Sequence, residues 1–152
     1  MMKKMFLVVG LLLGSLAYAG TTVPFEASVE TELHFVGPCG PNCATATMIG
    51  VGQALQGGRV SMDGLAQLNV ATGAQTGMPT FTAADGSTLT ISLEGAFTPA
   101  GPQDITFSGV WTAISGTGRF EGVSGDGTYD GFGSGSTGVV HFHGTLNNPG
   151  RR

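Results

Sequence analysis

No lysine follows Lys4, and the chain of 152 residues holds only six basic residues, two cysteines and one tryptophan. Charged residues of both signs make up just 11% of it. Each shortage removes a class of function. With residues 1–19 set aside, the cations are Arg59, Arg119, Arg151 and Arg152 against ten carboxylates, a formal charge of −6. A surface of that sign repels nucleic acid and acidic membranes. Strong helix formers are sparse beyond the first twenty residues, so no helix of ordinary length is expected. Neither a Gly-x-Ser-x-Gly elbow nor a Ser-His-Asp signature is visible.

The one long apolar run lies at the N-terminus. Lys3 and Lys4 precede Phe6 to Leu16, and Ala17-Tyr18-Ala19 places small residues at the two positions a signal peptidase reads. The run is too short to cross about 30 Å of hydrocarbon, and no cysteine stands at the cleavage point to take a lipid. Residues 1–19 are therefore read as a signal peptide. Residues 20–152 form one domain, exported to the periplasm or secreted, with no membrane insertion after cleavage.

What remains is rich in glycine, 27 residues in all, and in Val, Thr, Phe and Ser. Apolar residues recur there at period two, the mark of strands with one dry face. Val23, Phe25, Ala27, Val29, Leu33 and Phe35 share one face of residues 23–36, with Glu26, Glu30, Glu32 and His34 opposite. Residues 44–55 and 59–70 read as a hairpin through Gln56-Gly57-Gly58, with Val60, Met62, Ala66, Leu68 and Val70 together. A looser segment near 78–83 leads through Asp85-Gly86 into 88–98. Residues 104–114 turn Ile105, Phe107, Trp111 and Ala113 inward, and 126–133 and 138–146 complete a count of about eight strands.

An all-β fold follows, a closed antiparallel barrel of about eight strands. Closure removes the sheet edges that a lysine-free chain guards poorly. A β-sandwich is the alternative, although the Cys…Trp…Cys spacing of immunoglobulin domains is absent.

Cys39 and Cys43 stand alone in Gly37-Pro38-Cys39-Gly40-Pro41-Asn42-Cys43. In an oxidising compartment this pair forms a disulfide across the first turn, worth about 2 kcal/mol by loop closure. The spacing is one residue too long for the thioredoxin-type redox motif. His141 and His143, at i and i+2, share one strand face. If the first and last strands pair, His34 joins their sheet, and the three become candidate zinc or copper ligands; solvated imidazoles on an outer wall are the simpler reading. Asp126, Asp130 and Glu121 are too sparse for a calcium loop.

Ser115-Gly116-Thr117-Gly118-Arg119-Phe120-Glu121-Gly122 combines permissive glycines with one aromatic residue able to plug a barrel mouth. Gly116, Gly118, Arg119 and Phe120 are read as this structural turn. The segment resembles one in small exported bacterial proteins. Gly57-Gly58-Arg59-Val60-Ser61 and Phe81-Thr82-Ala83-Ala84-Asp85-Gly86 resemble two further elements of them. The Gly-Thr-Gly-x-Phe turn is also similar to one in plant dirigent proteins and allene oxide cyclases. That resemblance implies an eight-stranded barrel and carries over no catalytic residue.

Three functions stay open at this level. The first is a non-catalytic exported barrel, without cofactor, that binds a small apolar molecule or an envelope protein. The second is a dirigent-like or cyclase-like enzyme or radical-steering protein. The third is a weak zinc or copper site. Lumen polarity separates the first two, since a catalytic lumen needs convergent polar groups.

Overall fold

Alternation becomes a wall that closes on itself. The computed structural model describes residues 21–56 and 58–147; the signal-peptide reading of 1–19 and Gly57 of the hairpin turn lie outside them. Nine strands occur in order: β1 (Thr22–Gly40), β2 (Cys43–Ala54), β3 (Gly58–Asn69), β4 (Ala74–Gly77), β5 (Thr80–Ala83), β6 (Thr88–Pro99), β7 (Asp104–Gly116), β8 (Ser124–Ser134) and β9 (Thr137–Asn147). Every neighbour pair is antiparallel, and β1 closes the ring by pairing along β9 from Thr22↔Asn147 to Glu32↔Thr137.

Eight places make the ring, because β4 and β5 occupy the same one between β3 and β6. The partners of Gly77 and Thr80 are equally spaced on both neighbours, so no residue is inserted. The break between them falls at Met78-Pro79, where proline offers no N–H to the ladder. Met78 N–H still donates to the Leu65 carbonyl, and the Pro79 carbonyl still accepts from Ile91. The looser sequence near 78–83 is thus one strand, begun earlier at Ala74 and interrupted by a proline.

Register fixes the size of the barrel. Register partners lead from Phe25 through Gly144, Gly127, Trp111, Leu93, Gly77, Ala66 and Ala46 back to β1. The path returns at Phe35, ten residues beyond its start. With eight strands, a stagger of ten tilts them by roughly 40° and sets a backbone ring about 16 Å across.

The circuit also explains the glycine content. Trp111, Gly127, Gly144 and Phe25 are successive cross-strand neighbours on the inner face. A Cβ on Gly144 would lie 2.6 Å from Trp111 Cζ2, and one on Gly127 2.7 Å from Nε1. The indole therefore lies flat across two strands that have no side chain there, and its N–H donates to the His143 carbonyl at 3.0 Å. Tyr129 does the same over Gly109 and Gly95, and Phe107 over Gly131. Large and small residues alternate around the lumen, which fills a narrow barrel without strain.

The aromatic residues meet edge to face. Phe25 contacts Phe81 and Trp111 at ring distances of 5.8 and 5.3 Å, and Phe81 meets Phe142 at 5.2 Å. Such pairs add roughly 0.5–1.5 kcal/mol each beyond their buried area.

Two inward assignments change. Phe35 and Val70 hold the inner-face alternation, yet they are 68% and 66% exposed. The reason is strand length. β9 begins at Thr137, opposite Glu32, so the end of the β1–β2 hairpin has no wall across from it. Val70 lies just past the end of β3.

Candidate binding site in the barrel lumen

The two mouths of the barrel differ. At one, the turn after β7 closes the lumen. Gly116 leaves no room for a side chain beside Phe120, whose ring is buried. Gly118 adopts φ 59° and packs against Ser87, a conformation and a clearance that both favour glycine. Thr117 Oγ1 accepts from Thr88 N–H at 3.1 Å, and Ser87 Oγ accepts from Arg119 N–H at 3.2 Å. The Gly-Thr-Gly-Arg-Phe turn is thus clamped onto the Asp85-Gly86-Ser87 turn before β6.

Arg119 Nε is shielded from water and makes no directed hydrogen bond. Its compensation is the Asp85 carboxylate 3.2 Å away. Asp85 is held below the usual carboxylate range chiefly by hydrogen bonds from Ser87, with Arg119 adding a smaller attraction. All of this serves closure. None of it offers an open position to a reactant.

The other mouth is a cup. Its wall is mostly apolar, built by Leu33, Met48, Met62, Leu93, Ile105 and Phe107 with Thr31 and Thr137 beside them, and its free volume is about 60 Å³. That is room for a few methylene-sized groups. Tyr129 forms the floor, and the cross-strand row Tyr129, Gly109, Gly95, Gln75 explains how its hydroxyl reaches so far. With two glycines between them, the ring spans the gap, and Gln75 Nε2 donates to the Tyr129 oxygen at 2.9 Å. The phenol accepts this bond, so its own O–H remains a donor. Burial pushes the Tyr129 hydroxyl up to about 12, against the opposing bond from Gln75 and helped slightly by Glu94. The floor therefore stays neutral at any physiological pH.

The register separates the histidines. His141 pairs with Ser28 and His143 with Glu26, whereas His34 pairs with Thr47. His34 thus sits six residues further along β1 than Ser28, about 20 Å at strand rise. It contacts Glu32 at 3.2 Å. His143 lies on the outer wall between Glu26 at 4.0 Å and Asp130 at 3.8 Å. Among the described residues no three His, Cys, Asp or Glu side chains are placed to hold a metal ion. The sheet is shared, but His34, His141 and His143 do not meet on it.

Cys39 and Cys43 are bonded across the Pro41-Asn42 turn, at the tip of the projecting β1–β2 hairpin. Comparison with family models, with curated proteins and with solved structures returns no significant match. Function has to be read from the geometry.

Gln75 and Tyr129 went unmarked in the sequence, where one lies in an unassigned segment and the other in a glycine-rich strand. The available signal was Gly95, Gly109 and Tyr129 at inward positions of three strands, which becomes legible only once register is known.

Proposed function

We propose that this chain is an exported, non-catalytic binding barrel that takes the apolar end of a small molecule into the cup at its open mouth. The observation that carries this reading is the division of the lumen. One half is packed with aromatic rings, and the other is a mostly apolar cup with the Tyr129 O–H at its floor and few other polar side chains, Thr31, Gln75 and Thr137, along its lining. An apolar pocket with one or two placed polar groups is the usual form of a small-molecule site. The Tyr129 O–H selects a ligand with an acceptor oxygen, such as a ketone, ether or alcohol, on a short hydrocarbon body. The signal-like N-terminus and the disulfide agree with an oxidising, extracytoplasmic setting.

The dirigent-like or cyclase-like reading draws less support. Gln75 already donates to the Tyr129 oxygen, and the raised pKa keeps the phenol protonated, so it offers a donor and supplies no base.

Titration with 2-pentanone, followed by the methyl signals of methionine, tests the proposal. Beyond the leader the methionines are Met48, Met62 and Met78. Met48 and Met62 line the cup, while Met78 is 55% exposed elsewhere. The first two signals are expected to move and the third to stay. Tyr129→Phe should weaken the affinity about fivefold to tenfold, the worth of one hydrogen bond. Saturating ketone that leaves Met48 and Met62 unmoved would refute the proposal.

A further inference from the structure

A second concavity lies outside the lumen, on the wall where β8, β9, β1, β2 and β3 run side by side. It measures about 710 Å³. Two cross-strand rows of outward side chains border it. One row runs Phe132, Val139, Glu30, Val51, and the next carries Glu32, Ile49 and Asp63. Between them Gly138, Thr31 and Gly50 form a cross-strand row that faces the lumen, so this row gives the furrow its backbone floor and no outward side chain.

The apolar members are not incidental. Phe132, Val51 and Ile49 are each more than two-fifths exposed, and Val139 lies beside them. Contiguous exposed apolar side chains ringed by charge mark an interaction surface more often than bare wall. The charge there has one sign. Glu30, Glu32 and Asp63 line the furrow and no basic side chain does. Arg59 falls in the adjoining row, beyond Gln53. His34 contacts Glu32 from the rim.

We propose that this furrow docks a segment of another protein in which arginine or lysine alternates with apolar side chains. Charge complementarity selects that partner. A second copy of this chain would set Glu30, Glu32 and Asp63 against themselves, and like charges across an interface are strongly disfavoured. Strand addition is excluded on this wall, because every strand in it already has a partner on both sides. Recognition therefore runs through side chains: apolar groups settle on Phe132, Val139, Val51 and Ile49, and cations reach the three carboxylates. The furrow and the cup lie on opposite sides of the same wall and share Thr31, Met62, Thr137 and Gly138 in their linings, but docking on the outward side chains does not depend on the ligand proposed for the cup.

The test uses the folded exported chain and two synthetic heptapeptides, one alternating leucine with arginine and one alternating serine with arginine. Affinity is read by calorimetry and location by amide shifts. The leucine–arginine peptide should bind at least tenfold more tightly and shift amides of β1, β2 and β9 around the furrow. The triple variant Glu30→Gln, Glu32→Gln, Asp63→Asn should weaken it at least tenfold, and so should Val51→Ser with Val139→Ser. A control of equal charge change, Glu94→Gln, Asp104→Asn, Asp126→Asn, should leave affinity within twofold. Four outcomes overturn the proposal: equal loss in the control triple, no preference for leucine over serine, shifts confined to other faces, or a dimer in sedimentation that Val51→Ser abolishes.

Discussion

Gly144→Ala puts the packing scheme to its sharpest test, because the generic expectation has the opposite sign. In a strand with ordinary backbone angles, replacing glycine by alanine stabilises by about 0.4–1 kcal/mol, since the unfolded chain loses freedom. Gly144 is such a position, with no left-handed φ. The volume a methyl group would take is already occupied, however. Trp111 Cζ2 lies 2.6 Å from the ideal Cβ, and the Asp126 carbonyl of the adjacent strand is closer still.

The indole is 1% exposed and tied to the His143 carbonyl, and a backbone carbonyl has no rotamer to retreat into. Overpacking of this kind costs about 1–3 kcal/mol, and a rigid partner puts it near the top of that range. After subtracting the chain-entropy gain, a net loss of roughly 2 kcal/mol remains. For a domain of this size that lowers Tm by about 6–8 °C. Thermal unfolding followed by the emission of Trp111, the only tryptophan in the chain, reads both quantities. Gly133→Ala is the matched control, since its nearest neighbour is Ile105 Cγ1 at 3.3 Å. A Gly144→Ala protein as stable as the wild type, or more so, would refute the nesting of aromatic rings over strand glycines.

Phe120→Ala should destabilise by roughly 3–5 kcal/mol, measured by urea unfolding, because it removes the ring that closes one mouth. Tyr129 is the one tyrosine beyond residue 20, and no lysine lies there, so pH 10–12 isolates a single group. Its folded pKa of about 12 exceeds the unfolded value near 10; the folded state therefore holds the proton more tightly, and stability is full below pH 10 and falls on the order of 2 kcal/mol by pH 12. Tyr129→Phe should remove that alkaline decline, with phenolate absorbance as the companion signal. Reducing Cys39–Cys43 should cost no more than about 2 kcal/mol in melting experiments and speed amide exchange first at the hairpin tip, since the tip projects past the end of β9.

Period-two alternation is local physics, and the sequence carried it openly. The positions of Phe25, Leu89, Trp111 and Phe142 on inner faces, the turn at Asp85-Gly86 and the pairing of two isolated cysteines all follow from neighbours in the chain. The closed meander follows too, because about eight strands with no helix have few other ways to hide their edges. Register does not follow, since it is set by contacts between strands far apart in sequence. Only the tertiary structure decided that ten residues of stagger place Gly127 and Gly144 under Trp111 and bring Gln75 to Tyr129, 54 positions away. The same stagger moves His34 beyond reach of His141 and leaves Phe35 over an absent wall, although both obey the alternation that first grouped them. Alternation tells which side of the wall a residue takes, and register tells what stands opposite it.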